Sequence, residues 1–318
     1  MHSSPARSFT HDASTLVWDV VRTEQPRAAD ENTGAGASTD TGIEVDTDFN
    51  TGVGRVFVLV HGLGLGRAAF DGLAPVLAVH GRVIRVDLPG FGAAPEPPRV
   101  GSIEDSAQLL LALLDELGVH EAVLVGHSMG TQVVVEASVR RPALTRALVL
   151  IAPVVDPAAT STAVLFRRMA RDMYNESPKV MATGLWLYSR AGISLYVRKL
   201  RMMLAYNTPL ALPRVSAPVL VVRGEHDVVA PNAWCTDAAA LAPDARLVEI
   251  PGRGHETFLN DPEPTATAIV AFVNEHADAL NRYFRSSGVP YADAQDLVQG
   301  TLETFLGKDL AAIEKPRA

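Results

Sequence analysis

Ser128 stands at the middle of Gly126-His127-Ser128-Met129-Gly130, a G-x-S-x-G arrangement. The valine-rich run 121–125 before it reads as a buried strand, and 131–140 after it places Val134, Val135, Ala137 and Ser138 at spacings a packed helix uses. A strand that turns directly into a helix on this motif lifts its serine hydroxyl clear of the sheet. The turn is so sharp that a side chain two positions either side of the serine would crowd neighbouring backbone, hence glycine at both. Beside the hydroxyl, the free N–H groups of the first helical turn favour negative charge developing on a substrate oxygen. Such a hydroxyl is a weak nucleophile near neutral pH. It needs a base, typically imidazole, and a carboxylate that fixes the imidazole tautomer. The chemistry on offer is attack on an acyl carbon.

The elements that must position this serine follow a regular alternation. Residues 55–60 form a strand that ends in His61-Gly62-Leu63-Gly64-Leu65-Gly66, where Gly62 and Gly64 let backbone approach a ligand closely. Phosphate binding is disfavoured there, because neither Gly-Lys-Ser/Thr nor a helix-opening G-x-G-x-x-G is present. Residues 68–79 predict a helix, 82–87 a strand, and 102–117 an amphipathic helix with Ser102 as N-cap, Asp105 three residues later and Gly118 as its stop. Asp87, before Leu88-Pro89-Gly90-Phe91-Gly92, reads as a turn-capping carboxylate, and His61 as a hydrogen bonder that orients its loop. Further strands are predicted at 146–151, 217–222 and 246–250. Strand–helix alternation of this kind makes a mostly parallel sheet with helices on both faces, whose active residues gather at the carboxyl ends of the strands. Near the N-terminus, 16–21 predicts a first edge strand, 22–42 a polar loop and 43–45 a short second strand.

These motifs, in this order, resemble the α/β-hydrolases that carry a helical cap between two sheet strands, over roughly residues 56–276. The resemblance implies that Gly224-Glu225-His226-Asp227, followed by Pro231, places the triad acid on Asp227, and that Pro251-Gly252-Arg253-Gly254-His255 places the histidine on His255. The chain order Ser128, Asp227, His255 is that of the family. Glu225 and His226 are bystanders on this reading, and His127 gains nothing from adjacency because neighbours on the elbow point apart. The resemblance also assigns the oxyanion hole to the backbone amides of Leu63 and Met129. It implies a core at 1–153 and 214–276, a helical cap at 154–213 and a C-terminal helical extension at 277–318, with a further amphipathic helix over 291–307. Epoxide hydrolases and haloalkane dehalogenases of this fold place Asp at the elbow, so Ser128 argues against both.

Charge and composition narrow the class further. A chain of 318 residues with 47% hydrophobic and 20% charged residues is globular. A net charge of −8 argues against nucleic-acid binding, which requires a basic face. Nine histidines and one cysteine include no Cys-x-x-Cys and no His-x-x-x-His, so neither a metal nor another cofactor is implied. The lone Cys235 reads as a small packed hydrophobe in a reducing compartment. No apolar run is long enough for a membrane span, and residues 1–11 lack a signal's charged and apolar blocks, so a cytoplasmic enzyme is expected.

The cap segment stands apart in charge. Residues 154–214 carry nine Lys and Arg against three Asp and Glu, although the chain as a whole is acidic. One reading is a solvated face paired with the acidic body; the sharper one is a surface for an anionic substrate of the CoA or acyl-carrier type, or a membrane. The cap's Leu, Met, Tyr and Trp residues, sufficient for about four helices, form its core, with some facing an apolar acyl pocket beneath. The expected function is a cofactor-free serine hydrolase acting on an ester or related acyl bond of a small, largely apolar molecule. The same residues would also serve a thioesterase, an acyltransferase, a C–C hydrolase, or a cofactor-free peroxidase or lyase. A ligand-binding protein with little turnover is the alternative of another class. The tail serves either packing or oligomerisation.

Overall fold

Runs of Val, Leu and Ile bounded by turn residues form one sheet. In the computed structural model, which describes residues 2–23, 55–99, 101–159, 161, 164, 167, 168, 171 and 193–286, its strands are β1 (His2–Ser3), β2 (Arg7–His11), β3 (Ser14–Arg22), β4 (Arg55–Val60), β5 (Gly81–Asp87), β6 (Ala122–His127), β7 (Thr145–Ile151), β8 (Val219–Gly224) and β9 (Ala245–Ile250). The order across the sheet is β1-β3-β5-β4-β6-β7-β8-β9, with β2 also on β3. From β5 to β9 all neighbours are parallel, whereas β3 runs antiparallel to β5. Every residue of β6 and β8 is buried, as strands covered on both faces require.

The helices are α1 (Leu73–Ala78), α2 (Ile103–Glu116), α3 (Met129–Arg140), α4 (Ile193–Ala205), α5 (Thr208–Ala211), α6 (Asn232–Leu241) and α7 (Glu263–Ser286). The α2 cap is a reciprocal box: Ser102 Oγ accepts from Asp105 N–H, and Asp105 Oδ2 accepts from Ser102 N–H. The chain passes from β4 outward to β5, then returns to lay β6 on the other side of β4. Loops leaving β4 and β6 therefore diverge at a topological switch point, where open α/β sheets bind ligands.

Two sequence expectations change. The helix expected over 68–79 is a 3-10 turn at Arg67–Phe70 and then α1, interrupted at Asp71-Gly72. The strand expected at 16–21 is not an edge: β1 and β2 pair with the side of β3 away from β5. β2 has Phe9 as its single half-buried residue, so its sequence carries no burial alternation to betray it.

The chain divides within α7 into two compact units, Met1–Val270 and Ala271–Ala318, and the site lies in the first. The strand expected at 43–45, most of the loop expected at 22–42, much of the segment 154–213 expected as a cap, and the helix expected at 291–307 lie outside the described residues. Among the described residues, no helix is long and apolar enough to cross a membrane.

Candidate active site

Ser128 adopts φ 52° and ψ −117°, a conformation that L-residues rarely take unless their surroundings enforce it. The enforcement is steric. A Cβ on Gly126 would lie 2.4 Å from the carbonyl oxygen of Gly130, and one on Gly130 would lie 2.1 Å from that of Val60. The Ser128 N–H donates to Ile151 O at 2.9 Å, while Ser128 O accepts from Thr131 N–H and Oγ1–H at 2.9 and 2.5 Å. Backbone on both sides of the serine is thus tied down, and its hydroxyl is left as the group that faces the cleft.

The loops following β8 and β9 are pressed together beside it. A Cβ on Gly224 would lie 2.1 Å from Gly254 O, and His226 N–H donates to Arg253 O at 2.8 Å. This brings Asp227 and His255 into register with Ser128. His255 Nε2 lies 3.0 Å from Ser128 Oγ, and His255 Nδ1 lies 2.9 Å from Asp227 Oδ2. The other carboxylate oxygen, Oδ1, accepts from the N–H groups of Val229 and Ala230, each at 2.8 Å. All three side chains are largely hidden, with residue exposures of 8% for Ser128, 6% for His255 and 3% for Asp227. With Asp227 ionised, Nδ1 carries the ring proton and Nε2 presents its lone pair to the serine hydroxyl. Glu225 stands outside this relay, accepting Gly252 N–H at 2.8 Å to brace the neighbouring loop.

The amides of Leu63 and Met129 enter no hydrogen bond among the described residues, which leaves both free to donate to a ligand. Leu63 and Ser128 line one narrow cleft, and a Cβ on Gly62 would lie 2.9 Å from Ser128 Cβ, so the loop rests against the elbow. His61 does orient this loop. Its Nε2 accepts Leu88 N–H at 2.9 Å, so its Nδ1–H donates to Gly62 O at 2.7 Å, and burial lowers its pKa. Asp87 caps as expected and does more. It accepts from Arg67 N–H at 2.6 Å and Ala93 N–H at 2.9 Å, and it pairs with the Arg67 guanidinium. Arg67 also meets Asp19 at 3.1 Å, and Arg85 joins Asp19 to Asp71 at 2.7 and 2.5 Å. This cluster fastens the far end of the glycine-rich loop to β3 and β5.

His127 does not point away from the site. Its Nε2–H donates to the backbone carbonyl of His255 at 3.3 Å, and its ring centre lies 5.1 Å from both the His255 and Phe258 rings. The sequence expectation that this residue gains nothing from adjacency is corrected. The loop after β9, which carries His255 and Phe258, folds over the imidazole. Its Nδ1 is buried without a hydrogen-bond partner, and burial, then the nearby His255, holds its pKa well below the usual histidine value.

The cations of the segment 154–214 are partly spent. Arg168 pairs with Asp156 at 2.7 Å and Arg198 with Glu96, as a paired face would have it. Helix α4 is fixed to α3 by Gln132 Nε2, which donates to Met203 O at 3.0 Å, and by Tyr206 OH, which donates to Glu136 at 3.0 Å. Among the described residues, no three His, Cys, Asp or Glu side chains are gathered as a metal would need.

Comparison with known proteins gives the family. A model of the alpha/beta hydrolase family matches residues 57–268. The chain belongs to the alpha/beta hydrolase family. It is 29% identical over 244 residues to a Mycobacterium phage D29 protein provisionally named a non-heme haloperoxidase, covering 69% of this chain and 87% of that one. It is 28% identical over 242 residues to the pimeloyl-[acyl-carrier protein] methyl ester esterase of Nitrosomonas europaea, covering 67% and 93%. The solved enol-lactonase of Burkholderia xenovorans LB400 shares the fold, with a TM-score of 0.67 at 20% identity over 84% of this chain and 100% of that one.

Proposed function

We propose that this hydrolase-family protein cleaves an ester or related acyl bond of a small, largely apolar substrate through an acyl-enzyme on Ser128. The observation that carries the reading is the buried relay Asp227–His255–Ser128, with steps of 2.9 and 3.0 Å. Ser128 Oγ attacks the acyl carbon while its proton passes to His255 Nε2. The carbonyl oxygen becomes an oxyanion held by the amides of Leu63 and Met129. His255 then protonates the departing alkoxide, leaving the acyl group on Ser128. Water attacks that ester, its proton goes to His255, and the acid leaves as the proton returns to Ser128. Asp227 stabilises the imidazolium at both stages and remains ionised. No step calls for a cofactor.

The identity to a methyl ester esterase supports ester hydrolysis over C–C cleavage, and the single buried thiol suits a cytoplasmic setting. Thioester cleavage or acyl transfer would use the same first half-reaction. The test is turnover of p-nitrophenyl esters of rising chain length by the wild type and by Ser128→Ala. A burst of p-nitrophenol matching the enzyme concentration, absent from Ser128→Ala, supports the acyl-enzyme. Equal rates for the two proteins would refute it and leave a binding role.

A further inference from the structure

Lys199 is out of keeping with its surroundings. It lies on α4 immediately before Leu200-Arg201-Met202-Met203 and is only 2% exposed. Lysine is almost never so deeply buried without a carboxylate beside it. Among the described residues no hydrogen bond or ion pair engages its ammonium. The ammonium stands over the face of Phe91, whose ring centre lies 5.9 Å from Nζ. The carboxylate whose charge reaches it belongs to Asp105, which is already committed to the α2 capping box. Burial brings the ammonium down to about 8, so it remains mostly charged near neutral pH. The neighbouring cap cations, Arg168 and Arg198, are by contrast satisfied by Asp156 and Glu96. A purely packing role at this position would be met by methionine, which the same helix uses at 202 and 203.

Its place in the fold gives the charge a use. Phe91 meets the His61 ring edge-on at 5.6 Å, and His61 opens the loop that carries the Leu63 amide. One helical turn beyond Lys199, on the same face, Met203 lines the cleft with Leu63 and Ser128. The ammonium, unpaired among the described residues, is thus enclosed beside Phe91, close enough to His61 for its charge to act there and one helical turn from the cleft-lining Met203.

We propose that Lys199 is a specificity-determining residue that binds a carboxylate on the substrate, so that the preferred substrate is the half-ester, or a similar mono-acyl derivative, of a dicarboxylic acid. This rests on the proposed hydrolase reading and names its substrate class. A small carboxylate suits an ammonium enclosed by apolar side chains, whereas a bulky phosphate-bearing carrier would be met by the more exposed arginines.

A matched pair of esters tests this: p-nitrophenyl hexanoate and mono-p-nitrophenyl adipate, which differ by a terminal carboxylate on six-carbon chains. The wild type is expected to prefer the adipate. Lys199→Met should lower the adipate-to-hexanoate ratio of kcat/KM by about tenfold or more, mainly through KM, and Lys199→Arg should restore most of it. An unaltered ratio in Lys199→Met overturns the proposal; should that variant fold poorly, Lys199→Gln gives the same reading. Titration calorimetry of monomethyl adipate into Ser128→Ala, with and without Lys199→Met, separates the two claims. If neither ester is turned over, the hydrolase reading fails, yet loss of adipate binding in the double variant still upholds Lys199. Equal binding would remove it.

Discussion

Replacing Asp227 by Asn tests the direction in which the relay runs. Asp227 Oδ1 accepts two backbone N–H groups at 2.8 Å, and Oδ2 faces His255 Nδ1 at 2.9 Å. An asparagine must give its carbonyl oxygen to one side and its NH2 to the other. Turning the NH2 toward Val229 and Ala230 would forfeit two hydrogen bonds and leave two buried donors unpaired, roughly 1–3 kcal/mol for each donor. The opposite orientation sacrifices one hydrogen bond to His255, which the imidazole recovers by shifting its proton. The carbonyl should therefore keep the two backbone donors. The NH2 then faces Nδ1 and fixes the proton on Nε2, where it can no longer accept from Ser128. The expected consequence is a fall in kcat of about 10⁴ near neutral pH, with KM little altered and the fold retained. Steady-state hydrolysis of a p-nitrophenyl ester gives the rate, and 15N-edited NMR of His255 gives the tautomer. Retention of more than about a tenth of the wild-type kcat, or an unshifted Nδ1 proton, would refute this reasoning.

Further outcomes follow from the same contacts. His127 and His61 are buried with pKa values below the ordinary histidine, so they bind fewer protons folded than unfolded. Their contribution to stability is fully present above about pH 6.5 and is lost as pH falls from there through the lowered folded values. Urea midpoints should fall from pH 7 to pH 5, less steeply in His127→Gln, and parallel profiles would contradict the assignment. Gly130→Ala forces a methyl to 2.1 Å from Val60 O, so it should destabilise the fold by at least about 2 kcal/mol and abolish turnover; a folded, active variant in calorimetry would show that the elbow can widen. Asp87→Asn weakens the clasp on Arg67 and Ala93 and should lower kcat by roughly tenfold or more as the glycine-rich loop after β4 loses its place, with less effect on KM. Equal changes in kcat and KM would count against that role.

What could be read from sequence follows the range of each constraint. Ser128 was legible because the elbow's steric demands fall on Gly126 and Gly130, two residues away. The Ser102–Asp105 box and the buried valine strands were local for the same reason. Asp227 and His255 came from a resemblance, since their meeting depends on β8 pairing with β9 and on loops far apart in the chain. His127 was misread, because the contacts of its ring are made with a loop more than a hundred residues downstream. β2 gave no signal, with one half-buried side chain in five. In sequence Lys199 is one of nine cations in 154–214; its burial against Phe91 is a property of packing alone.

The central claim is that the buried imidazole–carboxylate pair turns one serine into a nucleophile. Intact-protein mass spectrometry after exposure to a fluorophosphonate measures this directly, with peptide mapping to locate the adduct. The account expects a single adduct on Ser128, formed rapidly by the wild type, slowed greatly by His255→Ala and absent from Ser128→Ala. An unmodified wild type, or an adduct on any other residue, would contradict it.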